Sequence, residues 1–497
     1  MLFNSLEFML FFPAVCLCYY VIPHKIRYLF LLACSYFFYM CWNPEYALLM
    51  LTSTVITYAS GLLIDSAEKI PDEKKRTKRK KWYVALSFIS NLAILFFFKY
   101  FNFAADSAVR LLQLVGITAT PPALDVILPV GISFYTFQAL SYTVDVYRKD
   151  IYAERNFFKY ALFVSFFPQL VAGPIERSKN LLIQINQKHK FEFERVRSGL
   201  LLMLYGFFQK VVLSEYLAIA VDNVYDTYTE RTGFQLLVST ILFAFQIYCD
   251  FGSYSNIAIG AAKVMGFSLM ENFNTPYFSE TVAEFWRRWH ISLSSWFRDY
   301  LYIPLGGRRK GKLRKQFNLM VVFLVSVLWH GASWHFVIWG CLNGMYQVIG
   351  EWLKPVKQKL VQLFRVDVTA FSHRLLRMLT TFVLVDISWI FFRASFRQGL
   401  EILKRILGLA EGVWFTWGDN LEIMGLTPQT RNLLVVALAI LLIADICKYR
   451  GIRIIDWICR QGLWLRWLVY YTAIFGILIF GVYGPGFDAS QFIYFQF

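Results

Sequence analysis

The sequence specifies an all-α polytopic membrane protein, and three observations carry that reading. Composition is the first. Of 497 residues 57% are apolar, 19% aromatic and only 17% charged, whereas a soluble domain carries roughly 25% charged residues. A soluble fold could not cover so much apolar surface. The second is a series of long, nearly uncharged runs at residues 8–22, 28–41, 46–64, 82–98, 200–212, 317–329, 432–444 and 465–482. About 20 residues of helix cross the hydrocarbon, and several runs reach that length once their flanks are included. The third is the placing of basic residues. The densest runs, EKKRTKRKK at 73–81 and RRKGKLRK at 308–315, separate apolar runs as cytoplasmic loops do.

Taken in chain order, the first apolar run has no Lys or Arg before Lys25. A cleaved signal peptide would begin with positive charge, so this segment is expected to be retained, with the amino terminus outside. Residues 24–27 and the 73–81 loop then both fall inside, and the two cues agree. Roughly ten to twelve crossings are expected, with apolar runs merging around 157–170 and 234–265. Stretches 181–197, 281–301, 354–377 and 396–407 are too polar to span yet too patterned for loops. They predict interfacial or re-entrant amphipathic helices, which inside a polytopic protein line a cavity. Neither a Pro/Ser/Gly-rich linker nor an internal repeat divides the chain, so a single membrane domain over 1–497 is expected. Its motifs concentrate at about 129–345, with a helical extension over about 396–497.

The formal charge of +17 reads as basic loops meeting anionic headgroups, not as a nucleic-acid footprint, although part of it could serve an anionic substrate. The eight cysteines, at 16, 18, 34, 41, 249, 341, 447 and 459, lie mostly in apolar runs without CxxC spacing. They are read as small buried hydrophobes, and no metal or haem site is implied.

Two histidines stand out. On a helical wheel, Phe285, Trp286, Trp289, Leu293, Trp296, Phe297 and Tyr300 fill one arc of roughly 120°, with Arg287, Arg288, Arg298 and Asp299 opposite. His290 sits at the edge of that arc, where a neutral imidazole could reach a polar cavity as base or donor. The same pattern fits a histidine capping an interfacial helix. His330 closes the 317–329 run and precedes Gly331 in LWHGASWHFVIWG. An ionisable residue at the end of a buried segment is a functional candidate, and Gly331 would allow backbone or substrate to approach closely. His335 would be rotated about 140° from His330 on a continuous helix, which favours a structural role. His24, His189 and His373 attract no chemistry.

Other polar residues are embedded among apolar ones: Asp250, Ser253, Tyr254, Ser255 and Asn256 in YCDFGSYSNIAIG, Gln169 and Glu176 in FFPQLVAGPIER, and Ser133, Tyr135, Gln138 and Asp145 in PVGISFYTFQALSYTVDVY. Each fits a helix-packing hydrogen bond. Asp250 is the exception, a carboxylate that could orient one of the histidines. Asp250, Ser253, Tyr254, Gln169 and Tyr135, with the indoles of Trp286, Trp289 and Trp329, form the supporting set around His330 and His290.

The motifs PVGISFYTFQ (129–138), FFPQLVAGPIER (166–177), YCDFGSYSNIAIG (248–260), FWRRWHISLSSWFRDYLYIPLGG (285–307), LWHGASWHFVIWG (328–340) and the closing FIYFQF (492–497) resemble, in order, those of the membrane-bound O-acyltransferases. The resemblance is strongest to the bacterial branch that O-acetylates alginate and other cell-envelope polysaccharides. It implies a ring of tilted transmembrane helices around a thin central floor with two funnels. It also implies that His330, in WHG, is the essential histidine and His290 the second polar position. The position of His335 often lacks a histidine in that family.

The implied activity is acyl transfer through the membrane. A thioester donor, acetyl-coenzyme A or an acyl carrier protein, would be presented from the cytoplasm, with no tightly bound cofactor and no metal. The acceptor would be a hydroxyl of an extracytoplasmic polymer, reached through a partner such as an SGNH-type O-acetyltransferase or a polysaccharide-modifying complex. Membrane lipids are the other expected partner, nucleic acid is not, and the bacterial cytoplasmic membrane is the expected location. Two rivals remain on sequence grounds: D-alanyl transfer to teichoic acid, and a non-enzymatic exporter or flippase of envelope polymer.

Overall fold

The computed structural model describes residues 1–117, 120–121, 129–410, 412–416 and 424–483, and the regular structure among them is entirely helical. Seven described helical segments are long and apolar enough to cross a membrane: Pro44–Ala67, Glu73–Leu114, Phe193–Asp226, Gly233–Met265, Phe371–Arg393, Pro428–Tyr449 and Leu463–Phe480. The other expected crossings fall on helices that are shorter or carry polar turns. The last of the seven buries none of its apolar window, as suits a helix solvated by lipid. The closing FIYFQF motif lies outside the described residues.

The chain forms two compact units, Met1–Leu200 with Ala258–Met270, and Leu201–Ile257 with Glu271–Phe497. In the first, α1 (Leu6–Val21), α2 (His24–Met40), α3 (Pro44–Ala67), α4 (Glu73–Leu95), α5 (Phe101–Leu114), α6 (Ile132–Arg148), α7 (Phe157–Ser165) and α8 (Ser178–Asn186) precede α9 (Phe193–Phe207). Ser5, Asn43 and Asp72 accept backbone N–H groups at the starts of α1, α3 and α4, satisfying donors that a helix leaves open. The basic run 73–81, expected as a loop, instead forms the first turns of α4. Asp72 caps it, and Glu73 complements the positive end of the helix.

Buried polar pairs hold these helices together, as they do where water is absent. Tyr160 donates to Thr57 Oγ1 (2.7 Å), Ser178 to Asp145 Oδ2 (2.6 Å), and Ser87 meets Thr143 (3.2 Å). Gly61 of α3 lies under the Tyr142 ring, where an added Cβ would come within 2.6 Å of Cε1. Residues 166–177 leave helical form yet stay buried throughout, so this irregular backbone is covered by protein, as membrane depth demands.

The second unit begins within α9 and continues through a π-helical stretch (Phe208–Ser214), α10 (Glu215–Asp226) and most of α11 (Gly233–Met265). It then holds α12 (Val282–Arg288), α13 (Ile291–Phe297), α14 (Lys312–His330), α15 (Trp334–Trp352), α16 (Lys354–Leu363), α17 (Phe371–Arg393), α18 (Phe396–Ile406), α19 (Pro428–Tyr449), α20 (Ile454–Cys459) and α21 (Leu463–Phe480). Polar contacts tie its spans together: Thr240 donates to Asp386 (2.8 Å) and Tyr248 to Asp445 (3.1 Å). On α15, Gly340 and Gly344 sit so close to α14 that a Cβ would meet Val327 Cγ1 at 2.3 Å and Met320 Sδ at 2.6 Å. This is the small-xxx-small packing of membrane helices, and it fixes the helix that ends in His330.

Candidate active site

One continuous helix was expected over 285–300; the structure breaks it. Thr281 caps α12 by accepting Glu284 N (3.1 Å), and Arg288 pairs with Glu284 (2.8 Å). After Trp289 the backbone turns into the left-handed region at His290 (φ 45°, ψ 55°), and α13 starts at the next residue. Left-handed backbone is uncommon for a residue with a Cβ and is held only where its surroundings demand it. Here the demand comes from the loop after α11. Asn274 N donates to Arg288 O and Ile291 N to Asn272 O, each at 2.9 Å, clamping the break from both sides.

The clamp puts Asn272 against the imidazole. Its Oδ1 lies 3.0 Å from His290 Nδ1, 2.9 Å from Ser292 Oγ and 3.3 Å from Ser292 N, while Nδ2 donates to Ser255 Oγ at 2.9 Å. The Phe251 ring stands edge-on to His290 with centroids 4.7 Å apart, and Trp329 lies 5.7 Å away. His290 is 1% exposed. It lies outside the seven candidate spans, and burial, with nearby His330 adding to the effect, pushes its imidazole well below the ordinary histidine range. The ring is therefore neutral at physiological pH.

His330 is the last residue of α14 and is 6% exposed. Its ring meets Trp329 (4.8 Å), Trp339 (5.3 Å) and Phe392 (6.1 Å). Trp339 stacks on Trp389, which packs against Trp289 (5.1 Å). Trp286 touches Trp339 (5.6 Å) and donates to Asn343 Oδ1 (3.2 Å). The second unit thus gathers His290, His330, Trp286, Trp289 and Trp329 into one aromatic cluster, with Trp329 touching both imidazoles. Gly331 makes room for a side chain of this cluster, since its Cβ would fall 2.2 Å from the Phe336 ring. His335 lies in the first turn of α15, with Nδ1 2.7 Å from Ser333 Oγ.

Asp250, expected to orient a histidine, is engaged elsewhere. It accepts from Lys210 Nζ (2.6 Å) and Ser214 Oγ (3.3 Å), and the same ammonium pairs with Glu215 (2.8 Å). Ser253 donates to the Asp250 carbonyl within α11 (2.6 Å), and Tyr254 is buried on the same helix. Tyr135 and Gln169 belong to the first unit. Both are buried there, and Gln169 Nε2 donates to Phe163 O (3.0 Å).

Sequence reasoning missed Asn272, Ser292, Trp339 and Lys210. Lys210 could have been found, because an ammonium inside the run FFQKVVLSEY is costly and marks a paired site. Asn272, in a polar loop, carries no comparable signal.

The model of the MBOAT, membrane-bound O-acyltransferase family, matches residues 74–365. A probable alginate O-acetylase AlgI of Pseudomonas syringae pv. tomato is 38% identical over 447 residues, 89% of this chain and 81% of its own length. A peptidoglycan O-acetyltransferase of Helicobacter pylori is 33% identical over 77% of this chain and 74% of its own length. A teichoic acid D-alanyltransferase of Streptococcus thermophilus is similar over a shorter stretch, 27% identical across 46% of this chain and 58% of its own length. A family model that covers more than half the chain, and relatives this similar over most of it, establish that this multi-pass membrane protein belongs to the membrane-bound O-acyltransferases and is an enzyme of acyl transfer.

Proposed function

We propose that this enzyme carries an acetyl group from a cytoplasmic thioester, acetyl-coenzyme A or an acyl carrier protein, toward hydroxyls of an extracytoplasmic envelope polysaccharide. The observation that carries the reading is the pair His290 and His330, buried in one aromatic cluster and both touching Trp329. A dry, preorganised site of this kind strengthens each electrostatic interaction made during acyl transfer. His330 acts as the base for the attacking hydroxyl or as a transient acyl carrier. In either route the C–S bond of the thioester breaks, a C–O bond forms, and the hydroxyl proton ends on the thiolate sulfur. Trp339 Nε1, buried beside His330 and without a hydrogen-bond partner among the described residues, supplies a donor to the oxyanion.

The alginate and peptidoglycan O-acetylating relatives support a polysaccharide acceptor. Delivery to it goes through an extracytoplasmic partner transferase. The enzyme works in the bacterial cytoplasmic membrane, with its amino terminus outside. Replacing His330 with Ala in cells should abolish O-acetylation of the envelope polymer at unchanged protein level, and persisting acetylation refutes the assignment. Labelled acetyl-coenzyme A given to membranes separates the two routes, because only the acyl carrier leaves label on the chain.

A further inference from the structure

We infer that Asn272 is a positioning residue for acyl transfer, holding His290 as the Nδ1–H tautomer so that Nε2 works as a proton acceptor and not as an oxyanion donor. The inference rests on the reading of His290 as part of the reacting site. The backbone N–H of Ser292 can only donate, and it points at Asn272 Oδ1 from 3.3 Å. That end of the amide is therefore the carbonyl. The other end donates to Ser255 Oγ at 2.9 Å, and the same orientation serves both contacts.

A carbonyl oxygen 3.0 Å from His290 Nδ1 requires a proton on that nitrogen. In a neutral imidazole the lone pair then belongs to Nε2. Ser292 Oγ gives its one proton to the same oxygen at 2.9 Å, so at 3.4 Å from Nδ1 it faces that nitrogen with a lone pair and likewise favours the protonated Nδ1. Around the ring stand Asn272, Ser292, Phe251, Trp329 and, as the group that can also take a proton, His330. With Nε2 as acceptor, His290 accepts the proton that His330 takes from the attacking hydroxyl as the C–O bond forms, and returns it to the thiolate sulfur as C–S breaks. Asn272 touches no reacting atom in this account and acts through the ring.

The test uses membranes holding the full chain, acetyl-coenzyme A as donor, and thiol release with acetyl transfer as readout over a range of pH. Asn272→Leu removes the acceptor and should lower kcat by about tenfold or more, with KM for the donor changed far less, as loss of one proton-transfer partner does. Asn272→Asp keeps an acceptor and adds charge that favours the imidazolium. It should retain most of kcat at high pH, with the acidic limb of the profile moved to higher pH. The inference is overturned by a normally folded Asn272→Leu enzyme with wild-type kcat, or by an Asn272→Asp enzyme with an unmoved profile. Should the Leu variant not fold, the Asp profile decides alone. His330→Ala separates the two levels: an active His330→Ala enzyme sinks the site reading itself, whereas an inactive one beside an unaffected Asn272→Leu sinks only this inference.

Discussion

His290 is fixed by backbone as much as by side chain, since a left-handed residue between two short helices cannot drift without breaking the clamp from 272 and 274. Its depressed pKa has a direction that can be tested. The folded chain resists protonation below the ordinary value of about 6.5, so activity that needs neutral His290 should persist to lower pH than an exposed histidine would allow. The unfolded chain takes that proton first, so stability should fall as pH drops below about 6.5. His290→Gln, measured by thermal unfolding in detergent, should flatten part of that loss. Lys210→Met leaves Asp250 and Glu215 buried side by side without their shared ammonium, at a cost of about 3–5 kcal/mol, read as a lower unfolding temperature. Asp250→Asn added to Lys210→Met should recover part of it. His330 and His290 were legible as single residues because ionisable groups in apolar surroundings are rare. That Lys210 pairs with Asp250 was not, since pairing across helices is a matter of which faces meet.

The elements that carry these residues are placed by small side chains. Gly340 and Gly344 let α15 lie against α14, and α14 ends in His330. Gly340→Val should force the two helices apart and cost about 1–3 kcal/mol through overpacking. Acetyl transfer should fall more than the membrane-inserted protein level does. Gly331→Ala displaces the Phe336 ring and should likewise lower kcat. The sequence read a glycine beside His330 as room for backbone or substrate; the structure fills that room with a ring ordered by α15. The break between α12 and α13 shows the same limit. Period and aromatic content fit one helix over 285–300, and only hydrogen bonds from a distant loop interrupt it. By contrast α18 (Phe396–Ile406) forms almost where its amphipathic pattern put it, because nothing competes with its local preference. The stretch 354–377 keeps its amphipathic helix only over α16 (Lys354–Leu363), since residues 371–377 belong to the first turns of α17, a candidate span.

At the scale of the whole molecule, the expected orientation rests on charge. The run at 73–81 is expected to face the cytoplasm. A reporter fluorescent only in the cytoplasm, inserted beside Pro71, should light up, whereas alkaline phosphatase at the same place should stay inactive. The reverse outcome would invert the topology. Membrane residence and helical class were determined by the sequence alone, which also singled out the two histidines as candidates, because the bilayer imposes a length and polarity on each crossing that composition records directly. Tertiary structure alone decided where the 285–300 helix breaks, that Asn272 meets the His290 ring, and that Asp250 pairs with Lys210. The physical reason is range: hydropathy is summed over neighbours in the chain, whereas a tautomer is set by one oxygen brought within 3.0 Å from eighteen residues away.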